Sequence, residues 1–213
     1  MTQTRRPEAP GLVADERGIA AMEFAIIAPM IVGLYLGLAE FSLAMSIDRQ
    51  VSHSASVAGD MVAQVTSVAD DDMADILAAT LRVSQVQYAN DYTIEIISYE
   101  LDDDGNVQDL GRATYNPAQS GNLATVNPED FGPELLSEDS GVIVANVAYK
   151  YSPLGYKDTV KGGDDAKETI LGASLILRET FMLKPRRSTT IEIGGGSGST
   201  LTCSGVGASL SCS

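Results

Sequence analysis

Residues 17–40 read RGIAAMEFAIIAPMIVGLYLGLAE. From Phe24 to Ala39 no residue carries a charge; Glu40 interrupts, and Phe41 to Ile47 continues apolar. As a helix, residues 24–39 rise about 24 Å, short of a bilayer core of roughly 30 Å, whereas residues 24–47 rise about 36 Å and span it with some tilt. A buried core helix is the other reading of such a run. Its density near the N-terminus of an otherwise polar chain favours a membrane. A cleaved secretory signal fits poorly, because the run is too long and helical character continues past it to about Thr66 with no Gly/Pro cluster. Residues 1–18 are polar, hold Pro7, Pro10 and Gly11, and read as a disordered leader. Arg5, Arg6 and Arg17 precede the run, which puts the leader in the cytoplasm and the bulk of the chain outside it.

Working outward, the 213-residue chain balances 14 Lys+Arg against 29 Asp+Glu, a net charge of −15. Arg49 is the only Lys or Arg between Gly18 and Arg82. That balance speaks against a nucleic-acid partner, since neutralising phosphates takes clustered cations. His53 is the only histidine, so His-rich zinc sites are excluded, and it reads as a solvated helix residue between Ser52 and Ser54. Cys203 and Cys212 are the only cysteines and form no CxxC. No Walker A, G-x-S-x-G, H-E-x-x-H or dinucleotide fingerprint is present, and no carboxylate pair stands out as an acid/base couple. The expectation is a non-enzyme with no cofactor and no metal.

Glu23 needs an explanation, because an unpaired carboxylate at membrane depth is costly. One reading places it at the interface, reaching to water. The sharper one starts from Gly18. A cut after Gly18 makes Ile19 the first residue and Glu23 the fifth, and the new α-amino group becomes a cation able to pair with a carboxylate. Gly18, Ile19-Ala20-Ala21-Met22-Glu23-Phe24 and the apolar helix resemble the processing site of type IV prepilins. The longer string, with Pro29 and Glu40, is similar to the TadE/TadF-like pseudopilins of the tight-adherence (Flp) pilus system. A weaker echo is the Pro185-Arg186 pair on which many TadE-like chains finish, although this chain continues to Ser213. The resemblance implies cleavage between Gly18 and Ile19 by a prepilin peptidase, and assembly guided by Glu23 and Phe24. It also implies as partners other pilins and pseudopilins, the inner-membrane assembly platform and the lipid bilayer. Gly33 and Gly37 form a GxxxG packing motif, and Pro29 frees a carbonyl and bends the helix.

Downstream, Val51, Ala55, Ala58, Val62 and Val65 keep helical spacing on one face, so a single helix is expected over residues 19–67. Asp70, Asp71 and Asp72 then open a second helix as N-cap and first turn. Strands are expected at Tyr92–Leu101, Val107–Tyr115, Gly141–Tyr151 and Ile170–Leu183. Between the first two lies Asp102-Asp103-Asp104-Gly105-Asn106, read as a hairpin turn, with a calcium loop as the alternative that lacks its twelfth-position Glu. Residues 116–140 read as a long surface loop with a helical turn near Glu134–Leu136, and Ser152 to Lys167 as another loop. GGGSGST reads as a flexible linker, and Cys203 and Cys212 either pair in an oxidising compartment or stay free.

The expected fold class is therefore α+β: a long N-terminal membrane-spanning, pilin-like helix, then a small domain with an antiparallel sheet of about four strands. Its expected divisions are a leader (1–18), the long helix (19–67, apolar over 24–47), an extracytoplasmic domain (68–187) and a Gly/Ser-rich tail with the Cys pair (188–213). The expected function is a minor pilin or pseudopilin that joins or initiates a Flp/Tad filament and supports surface adhesion. It resides in the inner membrane and then in the pilus at the cell surface. The alternative is an uncleaved single-pass anchor carrying an extracytoplasmic binding domain.

Overall fold

α1 runs from Ile19 to Ala63, 45 residues. It comes from a computed structural model that describes residues 18–84, 89–102, 104–132, 134–137, 140–153 and 174–213. The leader up to residue 17, Asp103, Pro133, the loop after Pro153 and the start of the expected strand at Ile170 lie outside the described residues. The chain divides into two units, Met1–Leu43 and Ala44–Ser213, and α1 contributes to both.

In the first unit the helix is apolar on every side and exposed on every side. Phe24, Ile26, Met30, Leu34, Tyr35, Leu38 and Phe41 are each more than three-fifths exposed. Such a helix is stable only with its whole circumference in an apolar surrounding.

In the second unit α1 becomes one-sided. Its buried residues are Val51, Ser54, Ala55, Ala58, Gly59, Val62 and Ala63. Steps of three and four keep them on one stripe, and their small size lets the helix approach the sheet closely. Gly59 lies against Leu183 and Ala145, where a β-carbon would collide with the Leu183 side chain. The helix stops at Ala63, short of the expected residue 67. The amides of Gln64 and Val65 turn back to the carbonyls of Met61 and Val62, tightening the last turn. Ser67–Val68 then form a short strand, β1.

α2, Asp70–Ser84, starts at the three aspartates, which occupy its first turn rather than the cap position. Ala69 accepts the amide of Met73 instead. Met73, Leu77, Thr80 and Ser84 are its buried face.

β2 (Tyr92–Leu101), β3 (Val107–Tyr115), β4 (Val142–Tyr151) and β5 (Leu175–Leu183) form the antiparallel part of the sheet. The sheet is larger than the four strands expected. The tail contributes β6 (Glu192–Ile193), β7 (Thr200–Ser204) and β8 (Ser211–Cys212). The main sheet runs β5-β4-β2-β3-β7-β8, with β7 parallel to β3, and β6 pairs with β1 in a separate parallel ladder. The flexible-linker reading of GGGSGST is corrected: the segment is a hydrogen-bonded turn between β6 and β7, with Gly194 donating to Val68 and Gly198 to Asp109. Alternate tail residues Ile191 and Ile193, then Leu201 and Cys203, are buried in the main core, which outweighs the freedom of the glycines between them.

β4 is buried on both faces, which explains why apolar residues fill successive positions on either side of Asn146. Ile143, Ala145 and Val147 face the helices with Tyr92, Ile94 and Ile96. Val142 and Val144 face a second cluster with Ile97, Tyr99 and Leu136, closed by Phe131 and Val126 of the long loop. That loop contains two short 3₁₀ turns, Pro117–Asn122 and Pro128–Asp130. The helical turn expected near Glu134–Leu136 is a single hydrogen-bonded turn, with Leu135 and Leu136 donating to Gly132.

Candidate functional site

The residues singled out for processing and assembly lie on the first part of α1 or immediately before it. Gly18 forms the turn just before the helix and Ile19 is its first residue. Glu23 follows Ile19 by four positions, one helical turn, so both lie on the same face about 6 Å apart along the axis. Glu23 is exposed, and no hydrogen bond or ion pair joins it to another described residue. Phe24, beside it, is 68 % exposed.

α1 is unbroken through Pro29, so no turn is melted there. Proline has no amide hydrogen, so the carbonyl of Ala25 lacks its helical donor. Gly33 and Gly37 follow at steps of four, and apart from the adjoining helix backbone no atom lies within 4 Å of where a β-carbon would stand on either. The helix therefore presents an open, shallow strip with one unsatisfied carbonyl at its N-terminal end.

The other end of the segment is fastened by a residue far along the chain. The amide of Arg186 donates to the carbonyl of Ala63, the last residue of α1, at 2.9 Å. Its guanidinium pairs with Asp60, and Asp60 also accepts from the side chain of Gln64 at 2.7 Å. α1 has no basic residue in its last turn. Arg186 therefore supplies the cation that the negative end of the helix dipole favours. Spacing gave no means of finding this contact; only the Pro185-Arg186 echo pointed to those residues.

In the tail, Cys203 and Cys212 are joined in a disulfide. They are direct cross-strand partners of β7 and β8, with Cα atoms 4.1 Å apart. The neighbouring pair, Thr202 and Ser213, exchanges both backbone hydrogen bonds, at 2.8 and 3.1 Å. The cysteines thus occupy the close, non-hydrogen-bonded pairing of an antiparallel ladder, where two side chains meet most readily. Gly111 lets this tail approach. Its φ is +127°, and a β-carbon there would collide with the carbonyl of Ile193.

The acidic cluster after β2 is occupied with making its turn. Oδ1 of Asp102 accepts from the amides of Asp104 at 3.0 Å and Asn106 at 2.7 Å, and Oδ2 accepts from Asn106 and Gln108. The Asn106 amide, then the side-chain donors, hold the Asp102 carboxyl below its usual range. Among the described residues no group of three His, Cys, Asp or Glu is placed to hold a metal.

With this geometry in view, a family model described as TadE-like protein matches residues 18–60. The N-terminal segment is thus similar to that family over these residues. The match starts at the glycine before α1 and ends at Asp60, so the TadE-like segment includes both the exposed apolar helix and most of the face buried in the second unit. Neither a curated protein nor a solved structure matches the chain.

Proposed function

We propose that this chain is a minor pilin of a Tad-type pilus, anchored by α1 and assembled through it. The observation that carries the reading is the TadE-like segment itself. It opens on Gly18-Ile19, places a glutamate at the fifth position after that glycine, and continues as a helix with no buried residue in its most apolar window. The helix is long enough to cross a bilayer, with the second unit on the far side from the leader.

In this reading a prepilin peptidase cuts between Gly18 and Ile19. The freed α-amino group of Ile19 is then a cation one turn from Glu23, in its own chain or a packed neighbour. Inside an apolar bundle a carboxylate without a partner is strongly disfavoured, so the pair sets the axial register of adjacent helices. The strip of Pro29, Gly33 and Gly37 allows close helix–helix approach. The folded second unit, absent from a bare helical pilin, suits a priming or tip position and contact with a surface. Replacing Glu23 by Ala tests this. Filament incorporation should fall while membrane insertion persists; unchanged incorporation would remove the register role of Glu23.

A further inference from the structure

The cleft between α1 and α2 is a local reversal of the chain's charge. It is lined by Ser46, Arg49, Gln50 and His53 of α1 with Arg82 and Val83 of α2. Among the described residues no aspartate or glutamate lines it, in a chain with 29 of them and a net charge of −15. Ser46, Arg49, Gln50 and His53 recur at helical steps of three and four, so they form one stripe of α1. Asp48 is next to Arg49 in sequence but lies about 100° around the helix from it. Neither Arg49 nor Arg82 forms an ion pair with another described residue, and both are exposed. The fold thus brings together the only two Lys or Arg residues between Gly18 and the end of α2, from elements far apart in sequence, and leaves both exposed and without an ion pair among the described residues.

Their depth is what gives the cleft a ligand. Ile47 is the last residue of the apolar run. Along α1, Arg49 stands about 3 Å and His53 about 9 Å beyond it. The headgroup layer on one side of a bilayer is about 5–8 Å thick. On the membrane reading of α1, Arg49 and His53 therefore fall at the level of the lipid phosphates. A planar guanidinium donates two parallel hydrogen bonds to a phosphate, and Ser46 and Gln50 supply further donors.

We propose that this cleft binds the phosphate of a membrane phospholipid headgroup, through Arg49 and Arg82, on the side of the membrane that carries the folded unit. The inference rests on the membrane reading of α1. It answers a problem that reading creates, since an acidic domain is repelled by an anionic lipid surface. A bound headgroup fixes the rotation of α1 and the height of the domain above the bilayer before the chain leaves for a filament.

The test uses full-length protein in mild detergent. Phosphatidylglycerol is titrated in, and bound lipid is counted by native mass spectrometry. Wild type should retain phosphatidylglycerol, and the double variant Arg49→Gln/Arg82→Gln should bind it about 30-fold more weakly, from two lost surface cations. Arg49→Lys/Arg82→Lys should restore most of the binding. Equal retention by wild type and the Gln variant overturns the proposal. Displacement of the lipid by millimolar inorganic phosphate assigns the cleft to free phosphate and also overturns it. Alkaline carbonate extraction of native membranes is run alongside. Wild type and variant should both stay in the membrane; release of wild type would refute the anchor itself, independently of the lipid count.

Discussion

Breaking the Cys203–Cys212 bond asks whether the tail belongs to the fold. The bond closes a loop with a sequence separation of 9. The chain-entropy relation for a loop of that length gives about 2.6 kcal/mol of stabilisation. For a domain of this size, each kcal/mol moves the melting temperature by about 2–4 °C, so the expected shift is roughly 5–10 °C. The tail also carries Ile191, Ile193, Leu201 and Cys203 into the main core. Loosening it exposes apolar surface as well as releasing a loop, which puts the expected shift toward the upper part of that range. The assay is thermal unfolding of the full chain in mild detergent, followed by near-ultraviolet circular dichroism, for wild type with and without reductant and for Cys203→Ala/Cys212→Ala. Both treatments should lower the midpoint by similar amounts. A shift below about 1 °C in both would refute the reasoning and show that the bond does not stabilise the fold.

Three further outcomes are expected. Asn116 holds a left-handed backbone at φ 53° and donates to the carbonyls of Asn90 and Tyr92. Asn116→Ala should therefore cost about 1–3 kcal/mol in urea unfolding, and Asn116→Gly less, because glycine keeps the backbone and loses only the side-chain bonds. Arg186→Ala should cost less than about 1 kcal/mol, since its side chain is 60 % exposed, and the loss should shrink at high salt. Asp102 has a folded-state carboxyl below its ordinary value of 3.8, so its contribution is complete above that value and fades as pH falls toward the lowered one. The protection of the Asp104 and Asn106 amides, relative to their intrinsic exchange at each pH, should fall on acidification below pH 3.8, and Asp102→Asn should flatten that fall.

The elements with strong periodicity were legible in the sequence. β2 and β3 begin and end where their residue types change, and β4 differs only by starting at Val142. The aspartates before Met73 marked the start of α2. The tail was hidden by composition. Its glycines and serines mask a real alternation, Leu201 and Cys203 inward between Thr200, Thr202 and Ser204 outward. Its partner β3 precedes it by more than 80 residues and pairs with it in parallel, so no turn signal joins them. The end of α1 was overrun because Val65 continues the apolar spacing although the backbone has already turned at Gln64.

The candidate site divides in the same way. Gly18, Glu23, Pro29, Gly33 and Gly37 were singled out from residue type and spacing on one helix. The cationic cleft was not, because His53 reads singly as a solvated helix residue and Arg49 and Arg82 lie 33 residues apart in sequence. Only the packing of α2 beside α1 makes them neighbours. A hint was present in the charge pattern: two isolated arginines in a long stretch otherwise free of Lys and Arg.

Intact mass and N-terminal sequencing of the protein purified from its own cell membranes test the central claim most directly. The account predicts a mature chain that begins at Ile19, with Glu23 as its fifth residue. A chain that still carries residues 1–18 would contradict it, and would leave α1 as the permanent anchor of an extracytoplasmic binding domain.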